Sequence, residues 1–256
     1  MRLPTWTANR LLRELRARTG PFLPMNPTTH KEDSLNALIV YAHPEPKSFN
    51  GALFQTAVSA LEDAGYTVAT TDLYSIGFNP TSDRRNFTTV SNPSYLKLQL
   101  EEAYASEHDG FAADVESEIR KVEAADLLIL QFPLWWFGLP AILKGWVDRV
   151  FVMGRTYGNG SFYEAGVFRG KRALLSLTTG GPEEAYLKGA FNGDINAVLR
   201  PIHRGILRFV GFDVLAPQIH YGPVRASDEE RRSWLNAYAA RLRNIASELP
   251  IDVGEY

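Results

Sequence analysis

Residues 132–140, with the sequence FPLWWFGLP, decide the fold of this chain. They follow an apolar run at 126–132 of the kind that forms buried strands in parallel sheets. Pro140 then suits the first turn of a helix, where a missing N–H costs nothing. The apolar positions after it recur at helical spacing: Ile142, Leu143, Trp146, Val147, Val150 and Phe151. The segment therefore predicts a buried strand, a tight aromatic turn and an amphipathic helix.

The turn carries three consecutive aromatic residues, Trp135, Trp136 and Phe137. Ligands of open α/β sheets bind at the carboxyl ends of strands, so we expect these rings to meet a flat ligand. Packing in the core is the alternative, and we expect at least one of the three to be buried in either case. Gln131, Lys144 and the flanking prolines argue against a membrane span.

The composition excludes several classes of protein. The chain of 256 residues has no cysteine, which rules out disulfides, thiolate catalysis and Cys-ligated metals. Its 5 histidines show no metal-ligand spacing, so we expect no metal site. A formal net charge of -2 gives no electrostatic footprint for nucleic acid. Without a secretory signal or a transmembrane segment, we expect a cytoplasmic protein.

Apolar patterns along the chain alternate between strands and helices. The strands are predicted at 37–43, 67–73, 126–132, 172–178 and 212–220. The helices are predicted at 50–64, around 115–122, from 140, at 195–210 with a kink or break at Pro201, and from 228. Residues 74–110 read as a long connection. This order predicts a doubly wound α/β fold with a five-stranded parallel sheet and helices on both faces.

The domain organisation is predicted as one domain between two short extensions. Residues 1–34 form a basic, proline-rich arm, 35–250 the folded domain and 251–256 a C-terminal tail. A transit-like leader, or sequence upstream of a start at Met25, are alternatives for the arm.

The loop after the first strand is a candidate anion site. Ser48 and Asn50 are N-cap residue types at the start of a helix, where free N–H groups and the helix dipole attract anions. A phosphate could be held by Ser48, Phe49 and Asn50, whereas an ordinary capped loop is the alternative. His43 is either a structural histidine or a phosphate contact.

The fourth predicted strand ends in Thr178, Thr179, Gly180 and Gly181. Adjacent glycines let backbone N–H groups approach a ligand, although a tight turn would also require them. An anion site, an aromatic wall and a bare backbone edge together fit a flavin. Each contact between an aromatic side chain and the flavin ring would add ~0.5–1.5 kcal/mol beyond area burial.

With these residues the sequence resembles the NAD(P)H:quinone oxidoreductases of the DT-diaphorase type, in the flavodoxin-like NAD(P)H dehydrogenase (quinone) family. The resemblance covers about residues 36–246 and implies a flavodoxin-like, flavin-binding domain. The motifs that carry it are ALIVYAH at 37–43, SFN at 48–50, FPLWWFGLPAILKGW at 132–146 and LTTGG at 177–181.

The resemblance implies a set of FAD-binding residues. Those for the diphosphate and its surroundings are His43, Phe49, Asn50 and Ala52. Those for the isoalloxazine face are Pro133, Leu134, Trp135, Trp136 and Phe137, although relatives more often have a polar residue at Trp135. Those for the ring edge and the remaining contacts are Thr178, Thr179, Gly180, Gly181, Tyr186 and Arg231.

The resemblance also implies a substrate slot shared by two copies of the chain. Trp136 and Phe137 of one copy would face Tyr157 and Phe209 of its partner in a homodimer. Tyr186 would act in catalysis with Asn192, which replaces the histidine of DT-diaphorases and also borders the substrate. An asparagine forms hydrogen bonds but does not change its charge.

The resemblance thus implies FAD-dependent transfer of two electrons from NAD(P)H to quinones, by a ping-pong hydride mechanism. The alternatives are an azo- or nitroreductase of the same fold that uses FMN or FAD, and a non-catalytic electron carrier or regulatory subunit.

Overall fold

The core of the protein, in a computed structural model that describes residues 34–254, is a parallel sheet. Its three inner strands are buried on both faces because each is an apolar run flanked by helices. The first four strands are β1 (Asn36–Tyr41), β2 (Thr67–Asp72), β3 (Leu127–Pro133) and β4 (Arg172–Thr179). The order across the sheet is β2-β1-β3-β4-β5, in which β5 is the short strand Asp213–Val214, and every pair is parallel. The predicted arm lies outside the described residues, apart from Ser34.

The helices cover both faces of the sheet, as predicted. One apolar cluster packs α3, α4 and α5 on one face, and the other packs α1 and α6 on the opposite face. Their bounds are α1 (Phe49–Asp63), α2 (Leu98–Glu107), α3 (Ala113–Ala124), α4 (Ala141–Val150), α5 (Ile195–Ile202) and α6 (Asp228–Arg243). The doubly wound α/β prediction is confirmed.

The fifth position of the sheet differs from the prediction in one detail. Two short strands, β5 (Asp213–Val214) and β6 (Gln218–Tyr221), replace a single strand at 212–220, and both pair with β4. Pro217 lies between them and has no N–H to donate to a neighbouring strand. The sheet therefore has five positions, of which the last is interrupted.

The long connection at 74–110 contains a helix, α2, that the sequence pattern did not predict. Its buried residues are Glu101, Glu102 and Ala105, so no apolar stripe marks it. The sequence of a helix whose buried face consists mainly of carboxylates has the same pattern as a polar loop.

The helix predicted at 195–210 is not split at Pro201, but its hydrogen-bond pattern changes directly after it. The α-helical pattern of α5 ends at Ile202 and continues as a π-helical segment, His203–Arg208. Proline removes an N–H from the helical ladder, which disturbs the hydrogen-bond pattern around it.

At the C-terminal end of the described chain, Ile251 donates its N–H to the carbonyl of Val214 over 2.8 Å. No helix in the described part of the chain is long and apolar enough to cross a membrane.

Candidate functional site

A cavity of about 790 Å³ opens at the carboxyl ends of β1, β3 and β4. The loops after these strands form its walls because parallel strands end at the same edge of the sheet. The lining residues are His43, Lys47, Ser48, Phe49, Asn50, Pro133, Leu134, Trp135, Trp136, Thr178, Thr179, Gly180, Pro223, Val224 and Arg231. Most of the residues expected to bind a flavin thus meet in one cavity.

The aromatic turn has an unusual backbone. Trp136 and Phe137 have φ angles of 50° and 58°, and Gly138 donates its N–H to the Trp135 carbonyl over 3.0 Å. Positive φ at both central positions is typical of a type I′ turn, which normally contains glycine or asparagine. Bulky residues in this region cost ~1–3 kcal/mol each and are concentrated at functional sites.

The turn directs its aromatic side chains away from the core. Trp135, Trp136 and Phe137 are 41%, 98% and 49% exposed. The expectation that at least one of the three is buried is therefore wrong. The left-handed backbone lifts the rings off the sheet, and Leu134, just before the turn, packs into the core.

The start of α1 lies at one end of the cavity and supplies free backbone donors there. The Ser48 side chain accepts a hydrogen bond from the Gly51 N–H over 3.1 Å. The N–H groups of Phe49 and Asn50, earlier in the same turn, have no acceptor within the helix. The exposed cation of Lys47 lies at the same end of the cavity. Helix donors and a cation together suit a phosphate or diphosphate.

His43 lies beside these donors. Its Nδ1 is 3.0 Å from the Glu45 N–H and 3.1 Å from the Glu45 carbonyl oxygen, so each ring tautomer forms one of these two hydrogen bonds. His43 also lines the cavity, which suits a phosphate contact.

Asn50 joins the strand ends below the cavity. Its Nδ2 donates to Thr178 Oγ1 over 2.8 Å, and its Oδ1 accepts from Gln131 Nε2 over 2.9 Å. Sequence reasoning missed Gln131, which is fully buried at the end of β3. Its only signal was a polar residue within an apolar run. Asn50 therefore supports the floor of the cavity in addition to bordering it.

Gly181 brings the two predicted catalytic residues together. A Cβ added to Gly181 would lie 3.1 Å from Tyr186 Cε2 and 3.2 Å from Asn192 Nδ2. Both side chains thus lie close to the same glycine, beside the rim of the cavity. A Cβ at Gly180 would meet nothing within 4 Å, so that edge is open space. Gly181, Tyr186 and Asn192 do not line the cavity themselves.

Four other predicted residues also lie outside the cavity lining. Ala52 donates its N–H to the Ser48 carbonyl over 3.0 Å, as an ordinary residue of α1. Phe137 is 49% exposed and follows the lining residue Trp136 in the turn. Tyr157 and Phe209 lie with their ring centroids 5.8 Å apart in a second cavity, of about 380 Å³.

Two arginines hold the loop after β6 beside the cavity. Arg231 Nη1 donates to the carbonyls of Pro223 and Ala226 over 2.9 and 2.6 Å. Arg225 Nη2 donates to the Gly180 carbonyl over 2.6 Å and thereby joins the loop to the glycine edge. Arg231 was expected from the sequence, whereas Arg225 lies in a polar turn that gave no signal.

Comparison with known proteins decides the family. A sequence model described as a flavodoxin-like fold matches residues 36–243. A ribosyldihydronicotinamide dehydrogenase [quinone] from Rattus norvegicus is 47% identical over 84% of this chain and 93% of its own length. An NAD(P)H dehydrogenase [quinone] 1 from Cavia porcellus is 44% identical over 84% of this chain and 78% of its own. This chain belongs to the flavodoxin-like NAD(P)H dehydrogenase (quinone) family.

A crystal structure from Klebsiella pneumoniae, described as that of a quinone reductase, agrees with this family. It superposes with a TM-score of 0.82 at 37% identity and covers 85% of this chain and 87% of its own. The chain is therefore an oxidoreductase with the flavodoxin-like fold.

The cavity fits the flavin that membership of the quinone dehydrogenase family implies. Its donors at the α1 terminus suit phosphate oxygens, and the exposed Trp136 ring can cover a flat heterocycle. The space beside Gly180 admits a ring edge where a side chain would intrude. The donor chemistry and the shape of the cavity thus agree on a flat group that carries phosphate.

Proposed function

We propose that this protein transfers two electrons from NAD(P)H to quinones with FAD as its bound cofactor. The observation that carries the proposal is the position of Trp136. Its side chain is 98% exposed, in a strained turn beside a cavity that contains hydrogen-bond donors suited to phosphate oxygens. A bound flavin supplies the chemistry, because it takes up a hydride equivalent and later passes on two electrons.

The residues of this chain bind and orient the reactants. His43, Lys47 and the N-terminus of α1 would hold the cofactor diphosphate. Trp136 and Phe137 would exclude water from the ring face and form one wall of the slot for donor and acceptor. Because both reactants use this slot in turn, the kinetics would be ping-pong.

Tyr186 and Asn192 would form the polar end of the slot. Both side chains lie close to Gly181, so their hydroxyl and amide groups would face the ring edge there. Asn192 would hydrogen-bond a reactant without taking up a proton, so any proton transfer at this end would fall to Tyr186 and water.

The proposal includes a homodimer in the cytoplasm, with Tyr157 and Phe209 of the partner completing the slot. Two apolar features support it. Trp136 and Phe137 are exposed on one side of the sheet edge, and Tyr157 and Phe209 line a separate cavity that could receive them. The slot is incomplete within one copy, since these two pairs of aromatic residues lie in different places.

A second donor is favoured by one observation. The rat relative, at 47% identity, is named a ribosyldihydronicotinamide dehydrogenase, whereas the guinea-pig relative, at 44% identity, is named an NAD(P)H dehydrogenase. Dihydronicotinamide riboside lacks the diphosphate and adenosine of NADH and needs fewer contacts. Comparing kcat/KM for the two donors decides between them.

Initial rates with both substrates varied test the proposed function. The expected result is parallel double-reciprocal lines with a quinone acceptor, and FAD rather than FMN released on denaturation. We expect Trp136→Ala to lower kcat/KM at least tenfold, since it removes an aromatic wall. Tyr95→Ala, at a 70% exposed aromatic residue in the 74–110 connection, is the matched control.

The alternatives give different results in the same assay. FMN release together with faster turnover of azo or nitro compounds than of quinones would favour the reductase alternative. Bound flavin without steady turnover would favour a carrier or a regulatory subunit.

A further inference from the structure

Side chains of helix α2 form hydrogen bonds with the segment that leads to Tyr157. Glu102 Oε2 accepts from the Met153 N–H over 2.9 Å and from the Tyr157 hydroxyl over 3.3 Å. Ser106 Oγ, one turn later, shares its proton between the Met153 carbonyl at 2.9 Å and the Glu102 carbonyl of its own helix at 2.8 Å. Both polar groups of the Met153 backbone are thus held by side chains of one helix.

The backbone of the segment also fits closely against α2. A Cβ at Gly154 would lie 2.8 Å from Ser106 Oγ, and the φ of +95° there favours glycine. The Gly154 N–H donates to the Tyr157 carbonyl over 2.8 Å and closes a short turn. The position of Tyr157 is therefore set by α2 as well as by the turn.

Glu102 is an unusual residue to find in this place. It is buried and lines the cavity of about 380 Å³ together with Tyr157 and Phe209. Lys144, the cation of the same cavity, is paired with Asp148 over 2.6 Å. The hydrogen-bond partners of the Glu102 carboxylate are thus neutral groups, the Met153 N–H and the Tyr157 hydroxyl.

The direction of the hydrogen bond to Tyr157 follows from the chemistry of a carboxylate. A carboxylate only accepts, so the Tyr157 hydroxyl donates to it. The Gln99 side chain also hydrogen-bonds the phenol oxygen, whose remaining acceptor position is left for a substrate group such as a carboxamide N–H or a hydroquinone O–H. Removing the acceptor would free the hydroxyl to rotate.

We propose that Glu102 is a positioning residue that fixes the Tyr157 hydroxyl as a hydrogen-bond acceptor for the substrate. The inference rests on the proposed function, in which Tyr157 of one copy completes the slot of the other. It assigns a role to α2, the helix whose buried face is polar.

A double-mutant cycle on the purified holoenzyme tests this role through kcat and KM for the donor and for a quinone. E102M keeps the side-chain length and removes both acceptor oxygens, E102A is a second such variant, and E102Q retains one acceptor oxygen. Y157F removes the hydroxyl alone. E101A is the matched control, because Glu101 is the adjacent buried glutamate and caps Ser91 and Asn92 instead.

We expect E102M and Y157F each to raise the KM of the same reactant, the donor or the quinone, about fivefold. An effect of this size corresponds to the loss of one hydrogen bond. The E102M/Y157F double variant should be no worse than either single variant, because both remove the same interaction. E102Q should restore the wild-type KM to within twofold, and E101A should leave it unchanged.

The role of Glu102 would be overturned if the fold increases in KM of the two single variants multiplied in the double variant. An unchanged KM in both E102M and E102A would overturn it as well. That result differs from failure of the proposed function, in which the wild-type holoenzyme itself shows no quinone turnover and both proposals fall.

Discussion

Asn50 Nδ2 donates to Thr178 Oγ1 over 2.8 Å, in a buried contact that joins the first turn of α1 to the end of β4. The same amide accepts from Gln131 on β3, so one side chain links two strands and a helix. Because the cavity lies directly above these strand ends, its shape depends on this link.

Replacing Asn50 with alanine should destabilise both the fold and the site. We expect the free energy of unfolding to fall by about 2 kcal/mol, because buried hydrogen-bonding groups of Gln131 and Thr178 lose their partners. Flavin affinity should weaken with it. Urea unfolding of the apoprotein and flavin titration measure the two effects. Gln55→Ala, at an exposed position of the same helix, should change stability by less than about 0.5 kcal/mol.

Replacing Gly51 with alanine should displace the anion-binding loop. The new Cβ would lie 2.0 Å from the Pro46 carbonyl oxygen, a distance that requires the backbone to move. We expect a loss of stability of ~1–3 kcal/mol, typical of overpacking, and weaker binding of flavin. Thermal unfolding with and without flavin checks this, with the exposed Ser59→Ala of the same helix as control. Equal melting temperatures for both variants would contradict the steric argument.

Two buried histidines should make the protein less stable in mild acid. Burial lowers the pKa of His203 and of His220 from 6.5 to about 4. Their contribution to stability is therefore complete above pH 6.5 and is lost as the pH falls from 6.5 towards 4, because the unfolded chain binds the protons first. Each of the two histidines should lower the free energy of unfolding by about 2 kcal/mol between pH 7 and pH 5.

Urea unfolding at these two pH values measures that loss. His203→Gln should reduce the loss relative to the wild type, whereas the exposed His108→Gln should leave it unchanged. The same acid sensitivity in all three proteins would show that neither buried histidine causes it.

Replacing Asn192 with histidine should accelerate reduction of the bound cofactor. Asn192 lies against Gly181, as Tyr186 does, and a titratable ring at this position could take part in proton transfer. We expect a higher rate constant for flavin reduction in stopped flow with saturating donor. An unchanged or lower rate constant would dismiss the idea, and Asn196→His, in the first turn of α5, is the control.

The parts of the fold that periodicity determines could be predicted from the sequence. The apolar run of β3 and the stripe of α4 appear where expected because both pack on an apolar core. Helix α2 could not be predicted, since it buries Glu101 and Glu102 and satisfies them with backbone N–H groups of distant loops. Those partners become visible only in three dimensions.

The candidate site was predictable to a similar extent. Strand ends and glycines indicated three walls of the cavity, because parallel strands end at one edge. The positive φ of Trp136 and Phe137 was not predictable, since local preference opposes it and only the surrounding structure maintains it. Arg225 was missed for a related reason, because its partner is a carbonyl 45 residues earlier in the chain.

In the proposed enzyme a flavin lies against Trp136 with the Gly180 edge at its rim. The decisive measurement is the visible absorbance spectrum of the purified protein, recorded before and after anaerobic addition of NAD(P)H and then of a quinone. We expect a yellow protein whose flavin bands bleach with the donor and return with the quinone. A colourless protein that binds neither FAD nor FMN in titration would contradict it.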